Sequence, residues 1–282
     1  MTANGLLTQL PAVPPGRTGW PWTEETLPDR YATPPASGQW PKLSIVCPSF
    51  RQGRFIEETI RSVLLQNYPA LEFIVIDGGS DDETVPILKK YSPWLAHWES
   101  EPDRGQSHAL NKGFGRATGD LFGWINSDDY YQPGAFAAVA ARYRPGRREL
   151  FFGDYDVRWG EETLLRRERL LPAFAFQVAV GGRILPSHTT FWPRLVHLSF
   201  NESLQFIMDA DFFKRLACAG IRPRHLAQPL AVFRAHPAAK TSTLVNVGQA
   251  ENEAWIQAQS WPTWWLWLLS RVVDRLRRFF GS

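Results

Sequence analysis

Two short apolar runs separated by one helical repeat restrict this chain's fold more than any other feature. "LSIVC" (residues 43–47) and "EFIVID" (72–77) are β-branched and nearly free of polar side chains, as strands covered on both faces of a parallel sheet must be. Between them "RFIEETIRSVLLQ" places Ile56, Ile60, Val63 and Leu64 at helical spacing. A strand, helix, strand unit with a right-handed crossover is predicted. "HWES" (97–100) and "LFGWI" (121–125) read as the next strands, with "GQSHALNKGFGRA" (105–117) as the helix between them, its Leu110, Phe114 and Ala117 on one face. Pro133 suits the first turn of a further helix that turns Phe136, Val139, Ala140 and Tyr143 inward. Up to about residue 145 the chain therefore reads as a nucleotide-binding α/β half. In the second half, "LFFGDYDVRW" (150–159) and "ETLLRRERLL" (162–171) read as two strands of a ribbon around Gly160, and "MDADFFKRLACAG" (208–220) as a helix ending at Gly220.

With 282 residues, 44% of them hydrophobic, one main domain is expected. The net charge of +3 comes from scattered arginines with no basic block in the middle, which argues against a nucleic-acid binder. Cys47 and Cys218 are too few for a disulfide framework and lack metal-ligand spacing, which suits a reducing compartment. No N-terminal run has the basic start and apolar core of a signal peptide, so the expected location is the cytoplasm. Residues 1–41 form a proline-rich arm that Trp20, Trp22 and Tyr31 can pin to the domain, a disordered leader being the other reading. The main domain is expected over 42–249 and a Trp/Arg-rich helical tail over 250–282.

Ligands of open α/β sheets sit where the loops at the carboxyl ends of the strands converge. Asp77 ends the second predicted strand and Asp128 follows the fourth, so two acidic loops face one crevice. Alone, Asp77-Gly78-Gly79-Ser80-Asp81-Asp82 reads as a tight turn capping a helix that begins near Glu83. Asp128-Asp129 is harder to explain as a turn, because adjacent carboxylates repel. A Mg²⁺ or Mn²⁺ shared with a diphosphate removes that repulsion.

"LSIVCPSFRQGRFIEETIRSVLLQNYPALEFIVIDGGSDD" followed by "DRGQSHALNKGFGRATGDLFGWINSDDYY" resembles family 2 of the inverting, nucleotide-sugar-dependent glycosyltransferases, whose fold is GT-A. The resemblance covers roughly residues 43–236. It implies a Rossmann-like, mostly parallel sheet flanked by helices, followed by an acceptor-side half. It further implies that Pro48 and Phe50 lie beside the nucleobase and that Asp77 accepts a hydrogen bond from a pyrimidine ring, which favours a UDP donor. Arg104 and Lys112 match basic positions near the diphosphate and donor sugar. Asn126-Ser127-Asp128 stands at the family's Asp-X-Asp signature with the first aspartate replaced. Nucleotide contact is then expected from Asn126 and Ser127, metal ligation from Asp128, and an approach to the sugar from Asp129. Downstream, Met208-Asp209 matches a pair that usually reads Glu-Asp, which makes Asp209 the catalytic base, with Asp211 as the other carboxylate of that helix start. His188 and Trp192 are expected near the acceptor, with an ordinary core or surface histidine the equal alternative for His188. "FRAHPAAKTST" (233–243) resembles a closing loop in which His236 reaches the metal and Lys240 a phosphate.

The tail "WPTWWLWLLSRVVDRLRRFF" (261–280) is too short to span a bilayer, which takes roughly 20 apolar residues. Leu266, Leu269, Val273, Leu276 and Phe280 share one stripe, and arginines lie mostly outside it. This pattern suits the surface of an anionic membrane, the inner face of the cell membrane in this setting, and a glycan or lipid-linked acceptor in polysaccharide synthesis. Packing on the domain or on a second subunit, giving an oligomer, is the competing reading. A catalytically idle sugar-nucleotide-binding module is the rival for the whole chain, prompted by Asn126 and Met208. An NAD-type oxidoreductase is disfavoured, because no Gly-X-Gly-X-X-Gly follows the first strand.

Overall fold

The computed structural model describes residues 5–35, 38–159, 163–168, 185–196 and 198–258. Strands β1 (Leu43–Ser49), β2 (Leu71–Asp77), β3 (His97–Ser100) and β4 (Leu121–Trp124) lie parallel in the order β3-β2-β1-β4. Their side chains alternate between two cores. Ile45, Cys47, Phe73 and Val75 enter one, with Ile56 and Ile60 of α1 (Ile56–Leu64) and Leu88 and Tyr91 of α2 (Thr84–Tyr91). Val46, Ile74 and Ile76 enter the other, with Leu110 and Phe114 of α3 (Gln106–Arg116). Burial on both faces explains why β1, β2 and β4 are largely apolar, whereas β3 at the sheet edge is half-buried and carries His97, Glu99 and Ser100.

β5 (Tyr130–Tyr131) and α4 (Ala135–Ala140) follow. The helix expected from Pro133 begins at Ala135 instead, because Gly134 is left-handed at φ 73° and separates the proline from the first turn. β6 (Glu149–Trp159) and β7 (Thr163–Glu168) form the expected antiparallel ribbon. β8 (Thr190–Pro193) then pairs antiparallel with both β4 and β6. α5 (Met208–Cys218) ends just before Gly220. It lays Met208, Phe212, Phe213 and Leu216 into the second core. β9 (Arg222–Ala235) runs parallel to β6 and antiparallel to β5. The sheet order is β3-β2-β1-β4-β8-β6-β9-β5, with β7 on β6. α6 (Lys240–Thr243) and α7 (Val245–Gln257) close the described chain, α7 running across the expected boundary at residue 249.

The arm lies on the domain. Leu10, Trp22 and Tyr31 are buried. Arg61 of α1, itself buried, donates to the carbonyls of Pro11, Pro21 and Trp22 at 2.9–3.1 Å. No helix among the described residues is long and apolar enough to cross a membrane. The amphipathic stretch 261–280, and with it the expected membrane or subunit contact, falls outside those residues.

Candidate active site

The parallel registers Ser49↔Asp77 and Asp77↔Ser100 bring the loops after β1, β2 and β3 to one edge. At that edge Asp77, which the resemblance sets beside the pyrimidine, is held within its own loop. It is fully buried, and its Oδ2 accepts from Gly79 N, Ser80 N and Ser100 Oγ, while Oδ1 accepts from Ser80 Oγ. These four donors tie the carboxylate to its own loop, as the plain turn reading of these residues has it, with Oδ1 accepting from only one of them. Pro48 is buried in β1, whereas the Phe50 ring is 55% exposed at the crevice edge with the Arg51 guanidinium 5.2 Å from its centroid. Arg104 turns to Glu202 at 2.6 Å, and Lys112 pairs with Glu99 of β3. Both cations, expected near the diphosphate and donor sugar, are thus paired with carboxylates in this conformation.

The loop after β4 is held from three sides. Asp129 is 1% exposed and points inward, its Oδ1 accepting the Arg234 backbone N–H at 2.9 Å. Burial and the neighbouring Asp128 push its carboxyl well above the usual range. The residue expected beside the sugar thus ties the loop after β4 to β9. Ser127 is buried and its carbonyl accepts from Thr59 Oγ1 at 3.0 Å. Arg234, buried between Phe55 and Tyr130, pairs with Glu58 and donates to the Asp128 carbonyl at 2.6 Å. With its backbone fixed in this way, Asp128 turns its carboxylate to His236, Oδ2 to Nε2 at 3.1 Å. The imidazole also lies against Phe55, centroids 4.7 Å apart. A carboxylate oxygen and an imidazole nitrogen at such proximity would supply two ligands to a divalent cation; no group of three or more such side chains is gathered among the described residues, so a bound diphosphate would have to complete the site.

A chain of polar contacts crosses the crevice next to this pair. Lys240 Nζ donates to Gln106 Oε1 at 2.6 Å, and Gln106 Nε2 donates to Asn126 Oδ1 at 2.7 Å. Asn126 also receives Trp124 Nε1 and donates to Asp129. Gln106 was not singled out in the sequence, although it opens α3 after a glycine, where a side chain faces the strand ends. Asp209 stands in the first turn of α5 within electrostatic reach of Lys240. Desolvation lifts its carboxyl to about 6, against the pull of the Ala210 N–H and Lys240. Asp211 points elsewhere, bound to Arg215 at 2.8 Å one turn on. Glu251 of α7 accepts the backbone N–H groups of Gln205, Phe206 and Ile207 at 2.7–3.1 Å and so caps the start of α5 from another helix.

Two acceptor-side expectations part company. Trp192 is 2% exposed and packs among Phe114, Phe122, Trp124, Phe212 and Phe213, a core side chain and not an acceptor contact. His188 is also buried, edge-on to Tyr155 at 4.7 Å, with no hydrogen-bond partner for Nε2 among the described residues. Desolvation takes its pKa down to about 3, against the pull of Asp128, so it is a neutral imidazole.

The family described as Glycosyl transferase family 2 matches residues 44–203, more than half of the chain. The chain belongs to glycosyl transferase family 2. An uncharacterized glycosyltransferase of Mycobacterium tuberculosis is 31% identical over 158 residues, 54% of this chain and 58% of that protein. Another, from Rickettsia typhi, is 27% identical over 233 residues, 76% of this chain and 70% of that one. Among solved folds, Staphylococcus aureus TarS 1–349 in complex with UDP-GlcNAc superposes with a TM-score of 0.56 at 17% identity, covering 72% of this chain and 61% of TarS 1–349. The mannosyltransferase PcManGT of Pyrobaculum calidifontis, in complex with GDP-Man and Mn²⁺, superposes with a TM-score of 0.54 at 18% identity, covering 88% of this chain and 78% of its own. The fold shared with these solved glycosyltransferases is GT-A.

Proposed function

We propose that this chain is a metal-dependent inverting glycosyltransferase that moves a sugar from a nucleoside diphosphate to an acceptor hydroxyl. The observation that carries the reading is the Asp128–His236 contact at 3.1 Å, with the raised carboxyl of Asp209 within electrostatic reach of Lys240 on the segment that follows His236. Asp128 and His236 would hold Mg²⁺ or Mn²⁺, which neutralises charge on the leaving diphosphate. Lys240 adds a positive charge at the same end, close to where negative charge grows in the transition state. Asn126 and Gln106 offer amide groups to sugar or ribose hydroxyls once the Lys240 contact opens. Asp209 accepts the proton of the attacking hydroxyl. A carboxyl near 6 is ionised at neutral pH yet more basic than an ordinary aspartate, as general-base catalysis requires. In-line attack by the hydroxyl as Asp209 takes its proton is one displacement and inverts the anomeric carbon.

A UDP-sugar is the first donor to test, since TarS is complexed with UDP-GlcNAc. A glycan or lipid-linked acceptor at the inner membrane face is the setting that the basic, tryptophan-rich tail supports. The test is Mn²⁺-dependent donor turnover by the full chain and by His236→Ala. Loss of turnover and of the Mn²⁺ dependence of UDP binding in the variant supports the reading. Full activity in the variant, or no nucleotide binding by the parent, overturns it.

A further inference from the structure

Asp77 is engaged by its own loop, and a second carboxylate, Asp103, reaches that loop from the segment after β3. Gly78 N donates to Ser49 O at 2.8 Å, which sets Gly78 beside the start of the exposed Phe50. Glu101 N donates to Asp77 O at 3.0 Å and prolongs the β2–β3 pairing, so that Pro102 and Asp103 pass over the two glycines. A Cβ built on Gly78 would stand 3.0 Å from Asp103 Oδ2 and 3.2 Å from its Cγ. The Asp103 carboxylate therefore fills the space that a side chain at position 78 would take, and the missing side chain is what admits it. Its Oδ1 accepts the Gly105 N–H at 2.7 Å, which fixes the rotamer. Oδ2 has no hydrogen-bond partner among the described residues. Neither adjacent arginine neutralises it, because Arg104 is bound to Glu202 and Arg51 to Asp81.

We propose that Asp103 reads the donor's nucleobase, its Oδ2 accepting the ring N–H of a base stacked near Phe50. The proposal rests on the glycosyltransferase reading above. A carboxylate accepts and cannot donate. Uracil, the expected base, presents N3–H between two carbonyls, and guanine presents the similar N1–H beside one. Cytosine and adenine place a lone pair at the corresponding edge, which a carboxylate repels. Asp103 would then select the nucleotide while taking no part in the displacement, a division of labour that leaves Asp77 to shape the loop.

The test is calorimetric binding of UDP, GDP, CDP and ADP to the full chain with Mn²⁺, parent against Asp103→Ala and Asp103→Asn. The parent should bind UDP about tenfold or more tightly than CDP, the strength of one hydrogen bond to a charged group. Asp103→Ala should remove that ratio by weakening UDP while CDP stays within about twofold. Asp103→Asn, whose amide oxygen can still accept, should fall between them. A GDP over ADP preference abolished in the same way keeps the role of Asp103 and moves the base to guanine. If the variants weaken all four nucleotides equally, Asp103 serves only the loop through Gly105 and the proposal falls. Equal binding of UDP and CDP by the parent, with no GDP preference, overturns it while the glycosyltransferase reading stands. Absence of any nucleotide binding overturns both.

Discussion

Asp209 and Asp211 sit two positions apart on α5 and point about 200° apart around a helix of 3.6 residues per turn. Asp211 is neutralised by Arg215, while Asp209 stays desolvated beside Lys240. Asp209→Asn should keep nucleotide affinity and lose most of kcat, on the order of a hundredfold or more. Asp211→Asn should leave kcat within a few-fold. Steady-state kinetics with a nucleotide titration separates these outcomes, and the reverse pattern makes Asp211 the base. The sign of the pH effect follows from the raised carboxyl. The reactive form is the ionised one, so kcat should fall as pH drops below about 6. The folded state also binds this proton more tightly than the unfolded state. Its stabilising effect is complete below the unfolded value near 3.8 and is lost as pH rises through about 6. Asp209→Asn should therefore melt above the parent at pH 8, and an unchanged or lower Tm there contradicts the desolvation account.

Helices and strands here are positioned by side chains that belong to other elements. Glu251, on α7, supplies the cap at the start of α5 that residues 205–207 do not provide for themselves. Glu251→Ala should cost about 1 kcal/mol, as lost helix caps do. It should also lower kcat more than nucleotide affinity, because Asp209 rides on the freed turn; a Tm loss with unchanged kcat contradicts the positioning role. Glu72 of β2 performs a similar task at the other end of the sheet. Burial alone would push its carboxyl up, yet hydrogen bonds from Lys42, Ser44 and Thr118 hold it at about 2. That stability is present above the unfolded value near 4.5 and is lost as pH falls towards 2. Glu72→Gln should flatten the acid limb of a Tm against pH curve, and an unchanged limb would exclude Glu72 from acid unfolding.

The arm, the parallel half-sheet and the site-bearing half are joined through few buried polar anchors, of which Arg61 is the clearest. It is 0% exposed, and three arm carbonyls depend on its guanidinium. Arg61→Ala strands those acceptors and opens a cavity, for an expected loss on the order of 3 kcal/mol. Limited proteolysis should then cut within residues 5–35 before the domain. If cleavage starts elsewhere, the arm's other contacts, among them Trp20 Nε1 to the Tyr131 carbonyl and Thr26 to Leu65 and Gly134, hold it without Arg61.

What could be seen in the residues and what could not divides along physical lines. β1 to β4 and the helices between them follow from local periodicity, because a strand buried on both faces needs an unbroken apolar run and a packed helix needs one stripe. The Asp128-Asp129 pair stands out for a similar reason, since two adjacent carboxylates after a buried strand call for a counter-charge, but that Asp128 meets His236 and Asp129 turns inward to Arg234 depends on β9. β9 was not legible. Pro223, Pro229 and its charged residues break the pattern, and the strand exists because β6 pairs along its whole length with register shifts around Asp154. Partnerships between distant residues escaped in the same way. That Asp77 spends its carboxylate on Ser80 and Ser100, that Trp192 belongs to the aromatic core, and that Glu251 caps α5 each depend on which side chain arrives in space. Composition and spacing state what a residue can do; only the folded neighbourhood decides which of its hydrogen bonds remain free to do it.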